Sequence, residues 1–190
     1  MKKISVGQRG ISILKNLAAA TACSLLVGCD ENKREFTDNH PPYLPNGGFE
    51  EGADGWDWPE KAPVAVIKSS AHAGVASLRI STDASNAVHV DGPRFPVIPG
   101  NAYRISLWVR TVRPGPVTFE FRFHAIDDGP VMAEKSVPVA FPAQSDSWQK
   151  LQFTITAPPD AYTGAILITT DSAESEFLID DAAVEEMGKS

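Results

Sequence analysis

The sequence predicts an all-β protein whose main domain is a two-sheet antiparallel β-sandwich of the jelly-roll kind. Apolar and polar residues alternate with a period of two in three segments, 103–110, 117–124 and 150–156. Such alternation is typical of strands with one packed face and one solvated face. Turn signals rich in Pro, Gly and Asp separate the segments, and no stretch carries a convincing helical stripe.

The first 28 residues have the layout of an export signal. A basic start precedes an apolar run at 17–27, and small residues follow that run, as in secretory signal peptides. The run is shorter than the ~20 apolar residues that a membrane-spanning helix needs. The basic residues of this segment are Lys2, Lys3, Arg9 and Lys15.

The tetrapeptide at 26–29, Leu-Val-Gly-Cys, closes this run and resembles the lipobox of bacterial lipoproteins. In that family cleavage falls before the cysteine, which carries a diacylglyceryl group. The resemblance implies a mature protein that begins at Cys29 and is anchored to a membrane by lipid. The alternative is an ordinary secretory leader with a chance cysteine. Asp30 resembles an inner-membrane retention signal, so we expect an inner-membrane anchor facing the periplasm first and an outer-membrane anchor second.

Charge and cysteine content limit the partners of the chain. The leader holds four of the 17 basic residues and none of the 24 acidic ones, so the rest carries 13 against 24, a net charge of −11. This charge opposes binding to nucleic acid. Cys23 and Cys29 are the only two cysteines, so processing would leave no pair to form a disulfide.

After the leader, the sequence divides into a linker and one domain. Residues 29–45 comprise the expected lipidated cysteine and a polar, Pro-rich tether. Residues 46–190 form a domain of ordinary size, able to bury about two-thirds of its unfolded surface. Besides the three long strands, shorter strand candidates lie at 63–68, 77–81, 87–90, 131–137, 164–170 and 176–184.

Several short motifs follow one another in the order of a known family. They include Pro-Asn-Gly-Gly-Phe-Glu-Glu-Gly at 45–52, Ser-Leu-Trp-Val-Arg at 106–110 and Phe-Leu-Ile-Asp-Asp at 177–181. The chain from 45 to 186 resembles the xylan- and cellulose-binding modules with a galactose-binding-like fold. The resemblance implies a two-sheet sandwich, a structural calcium ion, and a glycan site on the concave sheet or the edge loops.

The resemblance also implies which residues bind the calcium. They are the Gly48 carbonyl, Glu50 and Asp180, with Asp181 as a substitute. Calcium prefers six to eight oxygen ligands, so carboxylates from two ends of the chain are chemically suitable. The alternative is that Glu50 and Asp180 are solvated acids at strand ends.

A candidate glycan surface follows if the three alternating strands share one sheet. An indole offers a flat apolar platform for a sugar ring, and charged neighbours can bind the hydroxyl groups. The excess of cations on this face suggests an acidic polysaccharide. Alternatively, Trp108 is covered or interior, and the charges form cross-strand ion pairs. The candidate residues are Trp108, Arg104, Arg110, Glu120, Arg122, His124, Lys150 and Gln152, with Trp148 as an extension.

The remaining aromatic and histidine residues favour structural roles. Trp56 and the phenylalanines at 119, 121 and 123 are expected in the core. Trp58 could be an edge contact. His89 and Asp91 share a strand face, which is a weak metal signal.

These observations favour non-catalytic carbohydrate binding by a lipid-anchored protein of the cell envelope. A structural lipoprotein whose sandwich docks a protein partner is the alternative. An enzyme is not expected, because glycoside cleavage usually needs two carboxylates flanking one bond. On the predicted solvated face Glu120 stands alone, and the chain contains no Gly-x-Ser-x-Gly or His-Glu-x-x-His motif.

Overall fold

The computed structural model describes residues 44–189, apart from 84, 86, 126–128, 142 and 172. The predicted leader, Cys29 and most of the predicted tether lie outside the described residues. The described part consists of ten strands and connecting turns, without a helix. It accordingly offers no helix of the length and apolar character that crossing a bilayer requires.

The strands form two antiparallel sheets stacked as a sandwich, so the predicted fold class is confirmed. The β5 sheet has the order β1-β2-β10-β5-β8, and the β6 sheet has the order β3-β9-β6-β7, with β4 paired to β9. The strands are β1 (Val64–Ile67), β2 (Ser77–Thr82), β3 (Val88–Asp91), β4 (Phe95–Pro96), β5 (Asn101–Arg113), β6 (Gly115–His124), β7 (Val131–Phe141), β8 (Gln149–Thr156), β9 (Thr163–Thr170) and β10 (Ser175–Lys189).

One expectation about the arrangement of strands is wrong. The three alternating segments do not share one sheet, because β5 pairs with β8 whereas β6 pairs with β7 and β9 in the other sheet. Their solvated faces therefore point in opposite directions. The two-residue strand β4 was also not predicted, since it is too short to show alternation.

The core lies between the sheets and is built from the alternating apolar positions. Tyr103, Ile105 and Leu107 of β5 are buried, as are the three phenylalanines of β6 and Trp56, so these predictions are confirmed. Phe121 and Phe123 pack at 4.9 Å between ring centroids. Leu44, which the sequence assigned to the tether, is also buried in this core.

Gly164 shows how closely the sheet and the core side chains approach each other. A Cβ atom at this position of β9 would lie 2.8 Å from the Cζ atoms of both Phe121 and Phe95. Real Cβ atoms do not tolerate such contacts. A residue without a side chain is therefore required where the two rings meet the strand.

Candidate functional site

Two apolar residues of β9 lie on the outer face of the β6 sheet. On β9, Ala165 and Leu167 point away from the core cluster and yet are almost fully covered by their neighbours. Leu167 lies between Asp91 of β3 and Glu120 of β6, and Ala165 lies beside Arg122. The longer side chains of Glu120 and Arg122 stand beside these two positions, and we call this strip of the outer face the trough.

Charged groups in the trough are held by one another. The Arg122 Nε and Nη2 atoms donate hydrogen bonds of 3.0 and 2.7 Å to the same carboxylate oxygen of Glu120. The Arg122 Nε also lies 3.6 Å from a carboxylate oxygen of Glu134, its cross-strand neighbour on β7. Glu120 and Arg122, two of the predicted ligand residues, are thus brought together in a fixed arrangement in the trough.

His124 lies at the end of the same face, but it is covered. Its side chain is 4 % exposed, and Nδ1 lies 2.6 Å from the carbonyl oxygen of Gly129. The Nε2 atom is buried without a hydrogen-bond partner among the described residues, and so is Oγ1 of Thr163, its cross-strand neighbour. His124 is therefore packed against Gly129 and presents almost no surface to a ligand.

The outer face of the β5 sheet carries the two other predicted aromatic residues. Trp108 points outward, but the imidazole of His72 stacks on it, with ring centroids 3.9 Å apart and an interplanar angle of 16°. The His72 ring also contacts Trp148, edge to face, at 5.8 Å. Trp108 is therefore no open platform, because a residue of the β1–β2 connection already covers it.

The predicted polar residues of the β5 sheet differ in their contacts. Arg104 forms an ion pair of 2.9 Å with Glu185 of β10. The guanidinium carbon of Arg110 lies 5.9 Å from the centre of the Trp148 ring. Lys150 and Gln152 are exposed on the edge strand β8. The predicted site is thus divided between the two outer faces of the sandwich.

The sequence reasoning missed His72 altogether. His72 lies in a connection whose residues do not alternate, and only the tertiary fold brings it onto Trp108. The cross-strand neighbour of Trp108 is Asp180. The structure gives Asp91 no metal partner, and among the described residues no three or more His, Cys, Asp or Glu side chains are arranged as a ready metal site. Trp58 packs partly against the core.

The predicted calcium residues meet at Gly48. A Cβ atom at Gly48 would lie 3.6 Å from Oδ1 of Asp181, 3.9 Å from Oδ1 of Asp180 and 4.0 Å from Cγ of Glu50. Two ends of the chain therefore converge here, since Gly48 and Glu50 precede β1 and both aspartates belong to β10. Oxygen donors from carboxylates and a backbone carbonyl are the ligands that calcium prefers.

Backbone amides of the β1–β2 connection already bind these carboxylates. Asp180 Oδ2 accepts hydrogen bonds from the amides of His72, at 2.7 Å, and Ala73, at 3.3 Å. Glu50 Oε1 accepts from Val75 and Ala76, at 2.8 and 3.1 Å. The acidic cluster thus clamps this connection, and His72 is positioned over Trp108 by the same bonds.

Asp180 has the least favourable environment of the cluster. Its side chain is completely buried, and burial raises the pKa of its carboxyl group above the ordinary value of 3.8, an effect to which nearby Asp181 adds and which the three backbone N–H donors oppose. A buried carboxylate whose charge is compensated only by amides favours a cation nearby. The cluster has the donor chemistry and the charge that calcium prefers, whereas Asp180 and Glu50 are turned towards backbone amides and not towards one common point.

Solved structures with the same architecture include three carbohydrate-binding modules. A family 16 carbohydrate-binding module has 19 % identity and a TM-score of 0.58, covering 76 % of this chain and 99 % of its own. TmCBM61 in complex with β-1,4-galactotriose has 20 % identity and a TM-score of 0.59, with coverage of 77 % and 99 %. The CBM22-1 xylan-binding domain of Paenibacillus barcinonensis Xyn10C has 21 % identity and a TM-score of 0.53, with coverage of 76 % and 94 %.

At these identities the similarity establishes the fold. No curated protein matches the chain. A family model described as a carbohydrate-binding domain matches residues 42–174, which is more than half of the sequence and contains β1 to β9. The chain therefore belongs to this family of carbohydrate-binding domains.

Proposed function

We propose that the domain binds a polysaccharide without cleaving it, in the trough on the outer face of the β6 sheet. The observation that carries this proposal is the arrangement of Arg122 and Glu120 beside Ala165 and Leu167. Sites for small polar ligands combine an apolar floor with a few fixed polar groups. Arginine and carboxylate groups bind hydroxyl groups through charge-assisted hydrogen bonds.

The contacts on the two faces support this choice of sheet. On the β5 sheet, His72 covers Trp108, the aromatic residue best placed to stack on a sugar. On the β6 sheet, no described strand position that faces outward carries Trp, Tyr or Phe. Recognition in the trough would therefore rest on hydrogen bonds to hydroxyl groups more than on aromatic stacking.

The charges of the trough favour a neutral sugar chain. Glu120 and Glu134 pair with Arg122, and Asp91 lies on the same face beside Leu167, so the trough has no excess of positive charge. The acidic polysaccharide expected from the sequence depended on cations gathered on one face, and three of them, Arg104, Arg110 and Lys150, lie on the other sheet. Arg122 is also engaged by both glutamates, which leaves neither carboxylate free to flank a glycosidic bond.

We also propose that the chain is held at a membrane by lipid on Cys29, with the binding domain beyond a tether. The proposal rests on the lipobox-like tetrapeptide at 26–29 and the basic, apolar leader before it. Replacement of Cys29 by Ala should abolish labelling by a radioactive fatty acid and release the protein from the membrane fraction. Retention of the label in this variant would refute the proposal. Density-gradient separation of the membranes tests the inner-membrane placement, favoured by Asp30, against the outer membrane.

We further propose that the acidic cluster holds a structural calcium ion. Its ligands would be the Gly48 carbonyl, Glu50 and Asp180, with Asp181 beside them. The supporting observations are the approach of the Asp180 and Asp181 carboxylates and of the Glu50 side chain to Gly48, and the burial of Asp180. When bound, the ion would neutralise the cluster and join the N-terminal segment to β10.

Carbohydrate binding is tested with the full-length protein in a non-ionic detergent. Affinity electrophoresis against xylan, a mixed-linkage β-glucan and β-1,4-galactan should reveal retardation by at least one polymer. Arg122→Gln should weaken that binding by about 10-fold or more, because a hydrogen bond to a charged group contributes about 1.5–3 kcal/mol. Arg113→Gln is the matched control, since Arg113 lies on β5 and is paired with Glu174 and Glu176.

Two results would contradict the proposal. One is the absence of retardation by every polysaccharide, acidic polymers included, while the protein remains folded. The other is equal loss of binding in Arg122→Gln and Arg113→Gln. Recovery of one stoichiometric protein from solubilised membranes, without polysaccharide binding, would instead favour the alternative of a lipoprotein that docks a protein partner.

A further inference from the structure

A line of residues that includes several positively charged side chains crosses the outer face of the β5 sheet. Arg79 of β2, Leu178 of β10 and Arg110 of β5 are cross-strand neighbours. Trp148 lies at the next position, because the following residue, Gln149, pairs with Val109. Adjacent strands are about 4.8 Å apart.

Lys150 lies close to this line, since it pairs with Trp108 on the same face. We call Arg79, Arg110, Trp148 and Lys150 the cationic row. From Arg79 on β2 to Lys150 on the edge strand β8 the row extends over about 15 Å, or three strand spacings. A row of this extent can contact several units of an extended polymer.

The acids of this face already have partners. Glu185 pairs with Arg104, and Glu176 lies 4.0 Å from Arg113. The buried carboxylate of Asp180 accepts three backbone hydrogen bonds. By contrast, Arg79, Arg110 and Lys150 have no carboxylate partner among the described residues. Within the described part of the chain, the three cations of the row are therefore not paired with an acid, although Asp180 lies on the same face and the whole chain carries a net charge of −7.

The contact with Trp148 holds the guanidinium group of Arg110 in a position where it could bind a ligand. The indole supports Arg110 at 5.9 Å, and both side chains are partly exposed. Stacking on an aromatic ring restrains the guanidinium while its N–H groups stay free to bind a carboxylate in a bidentate manner. Leu178, between the two arginines, is only 2 % exposed although it points outward, so aliphatic stems of the row have an apolar surface to cover.

We propose that the cationic row is a second binding surface, which takes the carboxylate groups of an acidic polysaccharide. The guanidinium groups would bind uronate carboxylates, and the exposed part of the Trp148 ring would pack against the sugar ring between them. The inference rests on the proposed function, polysaccharide binding, and assigns the acidic ligand to the sheet opposite the trough. One domain would then contact two polymers, or two parts of one network, at once.

The test compares polygalacturonate with its methyl ester, because the two polymers share a backbone and differ in charge. The full-length protein in non-ionic detergent should bind polygalacturonate, and the variant Arg79→Gln/Arg110→Gln should bind it about tenfold or more weakly, since two charge-assisted contacts are removed. Binding to the methyl ester should be weaker and unaffected by the variant. The affinity for polygalacturonate should fall as salt is raised from about 0.05 to about 0.5 M, because this change shortens the Debye length roughly threefold.

Two matched variants separate the row from charge in general. Arg113→Gln removes one positive charge from the same strand as Arg110, where it is already paired, and should change the affinity for polygalacturonate by less than about twofold. Lys150→Gln alters an exposed side chain and keeps the inference testable if the double variant does not fold. It should weaken polygalacturonate binding without changing the urea midpoint.

The outcomes distinguish this inference from the proposed function. One outcome is binding to neutral polymers that Arg122→Gln abolishes, with no binding to polygalacturonate. This outcome would refute the second binding surface and would support the proposed function of the trough. Equal binding to polygalacturonate and its methyl ester would also refute the second binding surface. So would equal loss in Arg113→Gln, or binding to dextran sulfate of the same strength and the same sensitivity, which would indicate general attraction of polyanions.

Discussion

His72 stacks on Trp108 with ring centroids 3.9 Å apart, and the same imidazole lies 2.5 Å from the carboxylate of Asp181 through Nδ1. One side chain thus joins the aromatic residues of the β5 sheet to the acidic cluster. The β1–β2 connection that carries His72 is clamped by Asp180 and Glu50. The covering of Trp108 is therefore coupled to the protonation and the hydrogen bonds of these carboxylates.

We expect His72→Ala to uncover Trp108 and to destabilise the domain by about 1–2 kcal/mol, since an aromatic pair contributes about 0.5–1.5 kcal/mol and a hydrogen bond to Asp181 is also lost. Acrylamide quenching of tryptophan fluorescence should increase, and the urea midpoint should fall. His89→Ala, an exposed residue of β3, should leave both measurements unchanged. Unaltered quenching in His72→Ala would contradict the stacked arrangement.

Asp180 makes stability depend on pH in a defined direction. Burial raises the pKa of its carboxyl group in the folded protein, so between the ordinary value near 3.8 and the raised value the folded state binds more protons than the unfolded state. Its contribution to stability is therefore present below that window and is lost as pH rises through it. In EDTA, the stability of the wild type relative to Asp180→Asn should fall as pH increases across this window.

The dependence of stability on pH matters more than the absolute stability of the variant. The side-chain carbonyl oxygen of an asparagine can also accept hydrogen bonds from the amides of His72 and Ala73, so part of the stability is kept in the variant. Urea unfolding at several pH values provides the measurement. A difference between wild type and variant that does not change with pH, or that grows as pH rises, would contradict the assignment of the shift to Asp180.

Calcium should stabilise the wild type through the acidic cluster. A ligand present at 100 times its dissociation constant adds about 2.7 kcal/mol to the free energy of unfolding. Calorimetry should show a rise in Tm with calcium that EDTA reverses, and Glu50→Gln and Asp180→Asn should lose most of the rise. Magnesium serves as the control, since it demands a smaller octahedral site. An equal effect of calcium on wild type and both variants would exclude this cluster as the site.

Gly164→Ala should destabilise the domain by about 1–3 kcal/mol, because the added methyl group overpacks the core against two rings. The contacts in question are those with Phe121 and Phe95, at 2.8 Å. Phe121→Leu in the same chain should recover part of the loss, because it removes one of the two ring tips. A double variant whose destabilisation equals the sum of the single effects would show that the contact is absent.

Alternation along the strands allowed much of the core to be predicted. In β6 the phenylalanines at 119, 121 and 123 face inward and Glu120 and Arg122 face outward, as a period of two requires. The same reasoning identified the outward direction of Trp108. It did not identify what covers a residue, because His72 approaches Trp108 from a connection that has no periodic pattern.

By itself, the sequence determined that the domain is built of strands and which side chains of each strand face the core, since both are properties of local alternation and apolar burial. Only the tertiary structure decided which strands share a sheet. In the sandwich, β10 pairs with β2 and β5, far apart in the chain, whereas β5 and the next strand, β6, belong to opposite sheets. Because outward faces of opposite sheets point apart, this pairing separated Glu120 and Arg122 from Trp108 and Arg110 and divided one predicted surface into two.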